Sequence, residues 1–373
     1  MLKKLIKPVL VIALIATLLG IIVWGVYREN KLAHTSATGK EIVRIGAVLP
    51  LTKNNTLAGN TFKDLLLMRI AEVPADSKYE YKLFIEDDQF EIRKSILAAR
   101  KLLDVNDVDM LFTSASGAEN AIVDFIADKK VMMFSYLWDD KVPKKSPYAF
   151  TDIPMPDQHA FLLLPILQKK NIKTISIVMD NHRGILIAAE AFKKKAADYG
   201  IQIVDELRAN MDMVDWAISV AKMKRKTPDM YLAILLPQGM ETWGRELYRQ
   251  NIPTSKVLSM NMLDFISDKE LFEGAWYTSD SLINPAFSEK YRKRYGRELM
   301  FTQAMWGYAA LDRIIDIYER YDRKPTTDQV IRHLLTEERD SVVGRIRYDK
   351  DGILEGRPIL KIIRNGQAEQ LAD

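Results

Sequence analysis

Apolar residues along this chain gather into short continuous runs that alternate with longer segments striped at a helical period. VRIGAVLP (43–50) reads as a strand, NTFKDLLLMRIAEV (60–73) as a helix and YKLFIED (81–87) as a second strand. In the segment that follows, Ile92, Ile96, Ala99 and Leu103 recur on one face, while Arg93, Lys94, Arg100 and Lys101 fall largely on the other. That is the stripe of a surface helix. VDMLFTS (108–114), AENAIVDFIADKK (118–130) and VMMFS (131–135) continue the alternation. Strand and helix in this repeated order predict βαβ units with right-handed crossovers, hence a parallel sheet covered on both faces.

The pattern restarts after residue 155. HAFLLLPILQKK is a helix candidate, KTISIVMD a strand, GILIAAEAFKKKAADYG a helix ended by Gly200, and IQIVDEL a strand. WAISVAKMKRK, MYLAILL and KVLSMNM add a helix and two strands. Two α/β lobes are expected, similar in architecture but without an alignable sequence repeat. FTQAMWGYAALDRIIDIYERY reads as a strong late helix, and VGRIRYDKDGILEGRPILKIIRNG as a terminal hairpin turning at Asp351-Gly352.

Composition narrows the function classes. The 373 residues are 48% hydrophobic, enough for two buried cores. With 54 basic against 50 acidic side chains, the net charge of +4 gives no support for nucleic acid as a partner. The absence of cysteine excludes disulfides, thiolate nucleophiles, zinc-thiolate sites and a lipid-modified cysteine.

Residues 8–27, PVLVIALIATLLGIIVWGVY, run without a charge for about the length that spans a hydrocarbon core, behind Lys3, Lys4 and Lys7. Basic residues favour the cytoplasmic side, so the bulk of the chain is expected outside, although Arg28 and Lys31 weaken the asymmetry. A cleaved signal normally has a shorter apolar core, about 7–15 residues, with small residues close behind. Here Ala33 to Ala37 lie several positions past the apolar end, so an uncleaved anchor is the favoured expectation. Residues 28–41 are polar and aperiodic and read as a tether.

Candidate chemistry is sparse. His34, His159, His182 and His333 show no metal-binding spacing, and Asp349, Asp351 and Glu355 in YDKDGILEG depart from the calcium-loop pattern. No phosphate loop, dinucleotide fingerprint or nucleophile elbow appears, so neither a catalytic role nor a cofactor is expected. The basic runs Lys193 to Lys195 and Lys222 to Lys226 read as solvated helix faces. Three consecutive carboxylates, Glu86, Asp87 and Asp88, precede the striped helix. Acidic groups there accept orphan N–H bonds and answer the helix dipole, so fold punctuation is preferred over a catalytic or metal cluster.

What remains are loops at the C-terminal ends of strands, where open α/β sheets bind ligands. They are LTKNNTLAGN (51–60), TSASGAEN (113–120) with Ser114 and Ser116, and SYLWDDK (135–141), where Trp138 offers a stacking wall beside Asp139. TSASG fits an ordinary strand-to-helix turn and a ligand contact equally well.

Taken in order, VRIGAVLPLT, KLFIEDDQFEIRKSILAARKLL, FTSASGAENAIVDFIADKKVMMFS, SPYAFTDIP, AEAFKKKAADYGIQIV, FEGAWYTS and VVGRIRYDKDG resemble the type I periplasmic binding proteins. The likeness is to the leucine/isoleucine/valine-binding group that feeds ABC importers, and it spans about residues 42–366. It implies a non-enzymatic, two-lobed α/β fold, each lobe a parallel sheet flanked by helices, that closes on a small ligand. It implies lobe 1 from 42–153 plus 279–336 and lobe 2 from 154–278 plus 337–373, behind a segment 1–27 that anchors or targets the chain. The implied location is the periplasmic side of the inner membrane, with ABC permease subunits or another envelope protein as partners.

For the site, the resemblance implies Ser116 as the carboxylate-receiving serine, the backbone around Leu137 and the side chain of Asp139 as the second contact, and His182, Arg183 and Gly184 where an aromatic-glycine pair is usual. Asn261 stands in for the acidic residue that grips an ammonium, and Leu235 and Leu236 for far-lobe tyrosines. The amino-acid clamp is thus altered while the frame persists, which leaves open an envelope interaction protein that reuses the frame without small-ligand transport.

Overall fold

The computed structural model describes residues 36, 38–53, 55–114, 117–280 and 284–371. The apolar segment 8–27 and Ser116 lie outside the described residues. No helix among those described is long and apolar enough to cross a membrane.

Two sheets carry the fold. The first contains β1 (Glu41–Leu49), β2 (Tyr79–Asp87), β3 (Met110–Thr113), β4 (Met132–Ser135) and β5 (Ala149–Thr151), in spatial order 2-1-3-4-5. Every pairing in it is parallel, with β1 matched to β2 from Glu41↔Tyr79 to Leu49↔Asp87. Helices α1 (Thr56–Ala71), α2 (Ile92–Asp104) and α3 (Glu119–Lys129) connect the strands. The crossover strands are apolar on both faces because helices cover both.

The second sheet repeats that order with β6 (Thr174–Asp180), β7 (Gln202–Ala209), β8 (Met230–Ile234), β9 (Val257–Met260) and β10 (Trp276–Ser279). Antiparallel β13 (Ile359–Arg364) and β14 (Gln367–Gln370) extend it beyond β10. Its helices are α4 (Pro156–Lys169), α5 (Arg183–Ala196), α6 (Ala217–Arg225) and α7 (Pro237–Arg249). The chain then returns to the first sheet through α8 (Pro285–Tyr295), α9 (Ala304–Glu319) and α10 (Thr327–Thr336), with α9 packed along α1. The approach is close: a Cβ on Gly307 of α9 would lie 2.7 Å from the Phe62 ring of α1.

One expected element is corrected. The terminal segment is not a single hairpin turning at Asp351-Gly352. β12 (Gly344–Ile346) pairs back onto β11 (Arg339–Ser341), and the hairpin proper is β13–β14, turned at Asn365 and Gly366, both at positive φ. Asp351-Gly352 closes only a local loop, where Asp349 Oδ1 accepts the Asp351 and Ile353 N–H groups and Tyr348 bridges to Leu354. Both Xaa-Gly pairs are good turns, but only the later one is flanked by residues in register with β10.

Candidate functional site: a cleft at the strand ends

The two parallel sheets direct the ends of their strands at one cleft. Asn55 and Leu57 follow β1, Phe90 follows β2, Ser114 follows β3, and Tyr136, Leu137 and Trp138 follow β4. From the other side, His182, Gly184 and Ile185 follow β6, Leu236 and Pro237 follow β8, and Met262 and Phe265 follow β9. Phe301, just before α9, completes the floor. The lining is mostly apolar, and none of these lining residues is Asp, Glu, Lys or Arg.

The three carboxylates at the end of β2, Glu86 and Asp87 within it and Asp88 just after, shape this cleft without lining it. Glu86 pairs with Lys101 of α2 at 2.7 Å. Asp87 accepts the Leu51 N–H at 2.9 Å, the Gln89 N–H at 3.0 Å and the Thr52 hydroxyl, tying β2 to the loop after β1. Burial pushes its carboxyl up, but these bonds outweigh it and hold the group below the usual range. Asp88, fully buried, accepts the Phe90 N–H at 2.9 Å and the Ser95 hydroxyl at 2.8 Å. These bonds fix a turn in which Gln89 and Phe90 both take left-handed backbone angles, φ 56° and 61°. Two adjacent non-glycine residues in that region are strained, and the carboxylates over-determine the turn. Its product is the Phe90 ring at the cleft.

Among the described residues, aromatic and ionic contacts join the walls. Phe90 stacks on His182 with ring centroids 5.5 Å apart and planes 15° from parallel. Phe265 meets Phe301 at 4.6 Å at the floor. Asp139, after β4, receives Arg183 at the start of α5 through Nε at 2.8 Å and Nη2 at 2.5 Å, together with Asn120 and the Lys141 N–H. Burial alone would raise the Asp139 carboxyl, but those donors hold it below its ordinary value. The walls therefore meet as a closed cleft.

Behind the floor lies a polar network on the segment where the chain leaves the second sheet. The Asp280 carboxylate is fully buried; His159 Nε2 lies 2.9 Å from it, Gln303 Nε2 donates at 2.5 Å, and Asn261 Nδ2 donates as well. His159 Nδ1 sits 2.8 Å from the Thr278 hydroxyl, and the His159 ring meets Trp138 edge-on at 5.6 Å. Burial raises the Asp280 carboxyl, with His159 opposing. Burial and the charges of Asp280 and Asp264 push the Tyr136 phenol well above its usual range, so it stays protonated at the cleft wall.

Of the residues singled out from sequence, Ser114, Leu137, Trp138 and His182 line the cleft, as does Leu236. Leu235 is buried beneath it. Asp139 lies at its edge, in a small side cavity shared with Glu119 and Arg183, and its charge is taken by Arg183. Asn261 is turned away, its amide committed to Asp280. Sequence reasoning missed Phe90, Tyr136, Met262, Phe265 and Phe301. Tyr136 and Met262 lay inside segments already flagged, whereas the phenylalanines read as ordinary core. Among the described residues, no group of three or more His, Asp or Glu is placed to hold a metal ion.

Residues 42–358 match the family model described as periplasmic binding protein, and the chain belongs to that family. Solved structures share the fold. A solute binding protein of an ABC transporter from Rhodopseudomonas palustris, in complex with 3,4-dihydroxybenzoic acid, is 16% identical with a TM-score of 0.78, covering 89% of this chain and 96% of its own. A leucine binding protein from Thermotoga maritima is 19% identical with a TM-score of 0.78, covering 88% and 98%. A second R. palustris solute binding protein, in complex with benzoate, is 16% identical with a TM-score of 0.78, covering 89% and 96%. No curated protein sequence matches the chain.

Proposed function

We propose that this protein is the extracytoplasmic solute-binding component of an ABC importer, holding one small ligand between its lobes and presenting the closed shape to a permease. It carries out no catalysis in this reading. Segment 8–27 tethers it to the inner membrane, and the lobes divide at 42–153 plus 279–336 and 154–278 plus 337–373. The observation that carries the proposal is the uncharged cleft built from the strand ends of both sheets and bridged by Asp139–Arg183 and Phe90–His182. Ligand would favour the closed arrangement by adding contacts that only that arrangement offers. Small-angle scattering and calorimetry of the full chain in detergent, against a panel of small acids, amides and amino acids, test it. A ligand that binds and lowers the radius of gyration is the expected result; no binding and one unchanging shape across the panel would sink it.

A second reading draws on Asp139 and Asn261, both engaged inside the protein instead of facing the cleft. On that reading the frame docks to an envelope partner without ligand. A stable partner captured from membranes, unaffected by filling the cleft with Gly184→Leu, would favour it.

A further inference from the structure

The cleft carries enough chemistry to name a ligand class, an inference that rests on the solute-binding reading above. Its walls offer five aromatic rings, Phe90, Tyr136, Trp138, Phe265 and Phe301, with His182 stacked on the first. A flat ring is the shape such walls accommodate, because aromatic pairs gain from offset and edge-on contacts beyond the area they bury.

The polar side is equally restricted. Ser114 is 4% exposed, lines the cleft, and its Oγ has no hydrogen-bond partner among the described residues. A buried hydroxyl left unpaired is uncommon and calls for a partner. Helices α1 and α5 both begin at the cleft, at Asn55 and His182, and neither start has a side-chain cap. Their orphan N–H groups and dipoles favour an anion. By contrast, the start of α7 is answered by Asp180, which accepts the Leu236 N–H at 2.6 Å. The Gly117 N–H is likewise answered by Glu119, at 2.8 Å.

An ammonium finds no counter-charge among the described lining residues. No lining residue is acidic, Asp139 is neutralised by Arg183, and Asn261 donates its amide to Asp280. A zwitterionic amino acid would bury its cation without a counter-charge, which is strongly unfavourable.

From this juxtaposition of aromatic walls, an unpaired Ser114 hydroxyl and two uncapped helix starts, with no acidic group, we infer that the ligand is a small aromatic monocarboxylate lacking an amino group. Its ring lies among Phe90, Trp138 and Phe265, and its carboxylate takes the Ser114 hydroxyl and the N–H groups at the helix starts.

The test is calorimetry on the full chain in detergent, with benzoate and 4-hydroxybenzoate, benzyl alcohol as a neutral analogue, and L-phenylalanine and L-leucine as zwitterions. The benzoates should bind, with benzyl alcohol and both amino acids at least tenfold weaker. Ser114→Ala should weaken benzoate roughly 10- to 100-fold, the range for losing a hydrogen bond to a charged group, and weaken benzyl alcohol by less than about tenfold. Ser114→Thr, which keeps the hydroxyl, should retain most of the affinity and guards against misfolding of the alanine variant. Phenylalanine or leucine binding as tightly as benzoate would overturn the ligand class while leaving the solute-binding reading intact. Benzyl alcohol matching benzoate would overturn the anionic site alone. Silence from every compound, with no change in scattering, would overturn both.

Discussion

The mouth of the cleft and its hinge side hold the same two lobes together by opposite means. At the mouth, Arg183 reaches Asp139 with its own side chain 48% exposed, and Phe90 lies half-buried on His182. At the hinge side, Asp280 and its partners His159, Asn261 and Gln303 are buried, and each breakage leaves a polar group stranded. An ion pair with one partner half open to water is partly screened, whereas removing one partner of a fully buried polar network costs roughly 3–5 kcal/mol. Opening is thus directed to the mouth and the hinge stays intact.

The sharpest way to break that contrast is Asp280→Ala. It should destabilise the fold by roughly 3–5 kcal/mol, read by denaturant unfolding, because three buried side chains lose their acceptor. A loss below 1 kcal/mol would remove the distinction between hinge and mouth.

A second test uses pH. Asp152, on the first segment to leave the first sheet, is buried and accepts the Tyr348 hydroxyl at 3.3 Å, and burial pushes its carboxyl up to about 8. A group raised above its unfolded value near 3.9 gives stability that is complete below that pH and lost as pH climbs through 8. Glu119, pushed by burial to about 7, and Asp180, to about 6, act in the same direction. Asp152→Asn should therefore gain on the parent as pH rises from 4 to 8, by roughly 3–8 °C in Tm at the upper end. Parallel Tm curves for variant and parent would refute it.

Asp88→Ala probes how the mouth is shaped. Losing the bonds to the Phe90 N–H and Ser95 should cost about 1–3 kcal/mol and weaken ligand binding, whereas Phe90→Ala should weaken binding with less effect on stability. Equal effects of both on stability and affinity would mean the turn serves the fold alone. Arg183→Ala takes one of three donors from the largely buried Asp139 carboxylate and should cost about 1–3 kcal/mol. Its readout is shape: the ligand-free radius of gyration should rise, and an unchanged value would show that the pair does not hold the mouth.

Much of the frame was legible because crossover strands write their burial as unbroken apolar runs. The elements that escaped show why others do not. Helix α7 buries Gly239, Met240, Trp243 and Gly244, a face diluted by two glycines, and β10 is only four residues, WYTS. At the site, loops after strands announced themselves, since small and polar residues there have no core to fill. Phe265 and Phe301 did not, because a ring facing ligand and a ring facing core have the same letter. The pairing of Asp139 was not legible for a related reason: its partner Arg183 lies 44 positions away, and only the fold brings them together.

The interleaved path between the sheets also bears on how the molecule comes into being. β5 completes the first sheet at residue 151, yet the helix α9 that covers α1 begins at Ala304, and the second sheet waits for β13 and β14 at Ile359–Gln370. Neither half can mature on a nascent chain until almost all of it has emerged. Such high contact order slows acquisition of structure and keeps the polypeptide unfolded longer, the condition under which threading through a translocation pore is feasible.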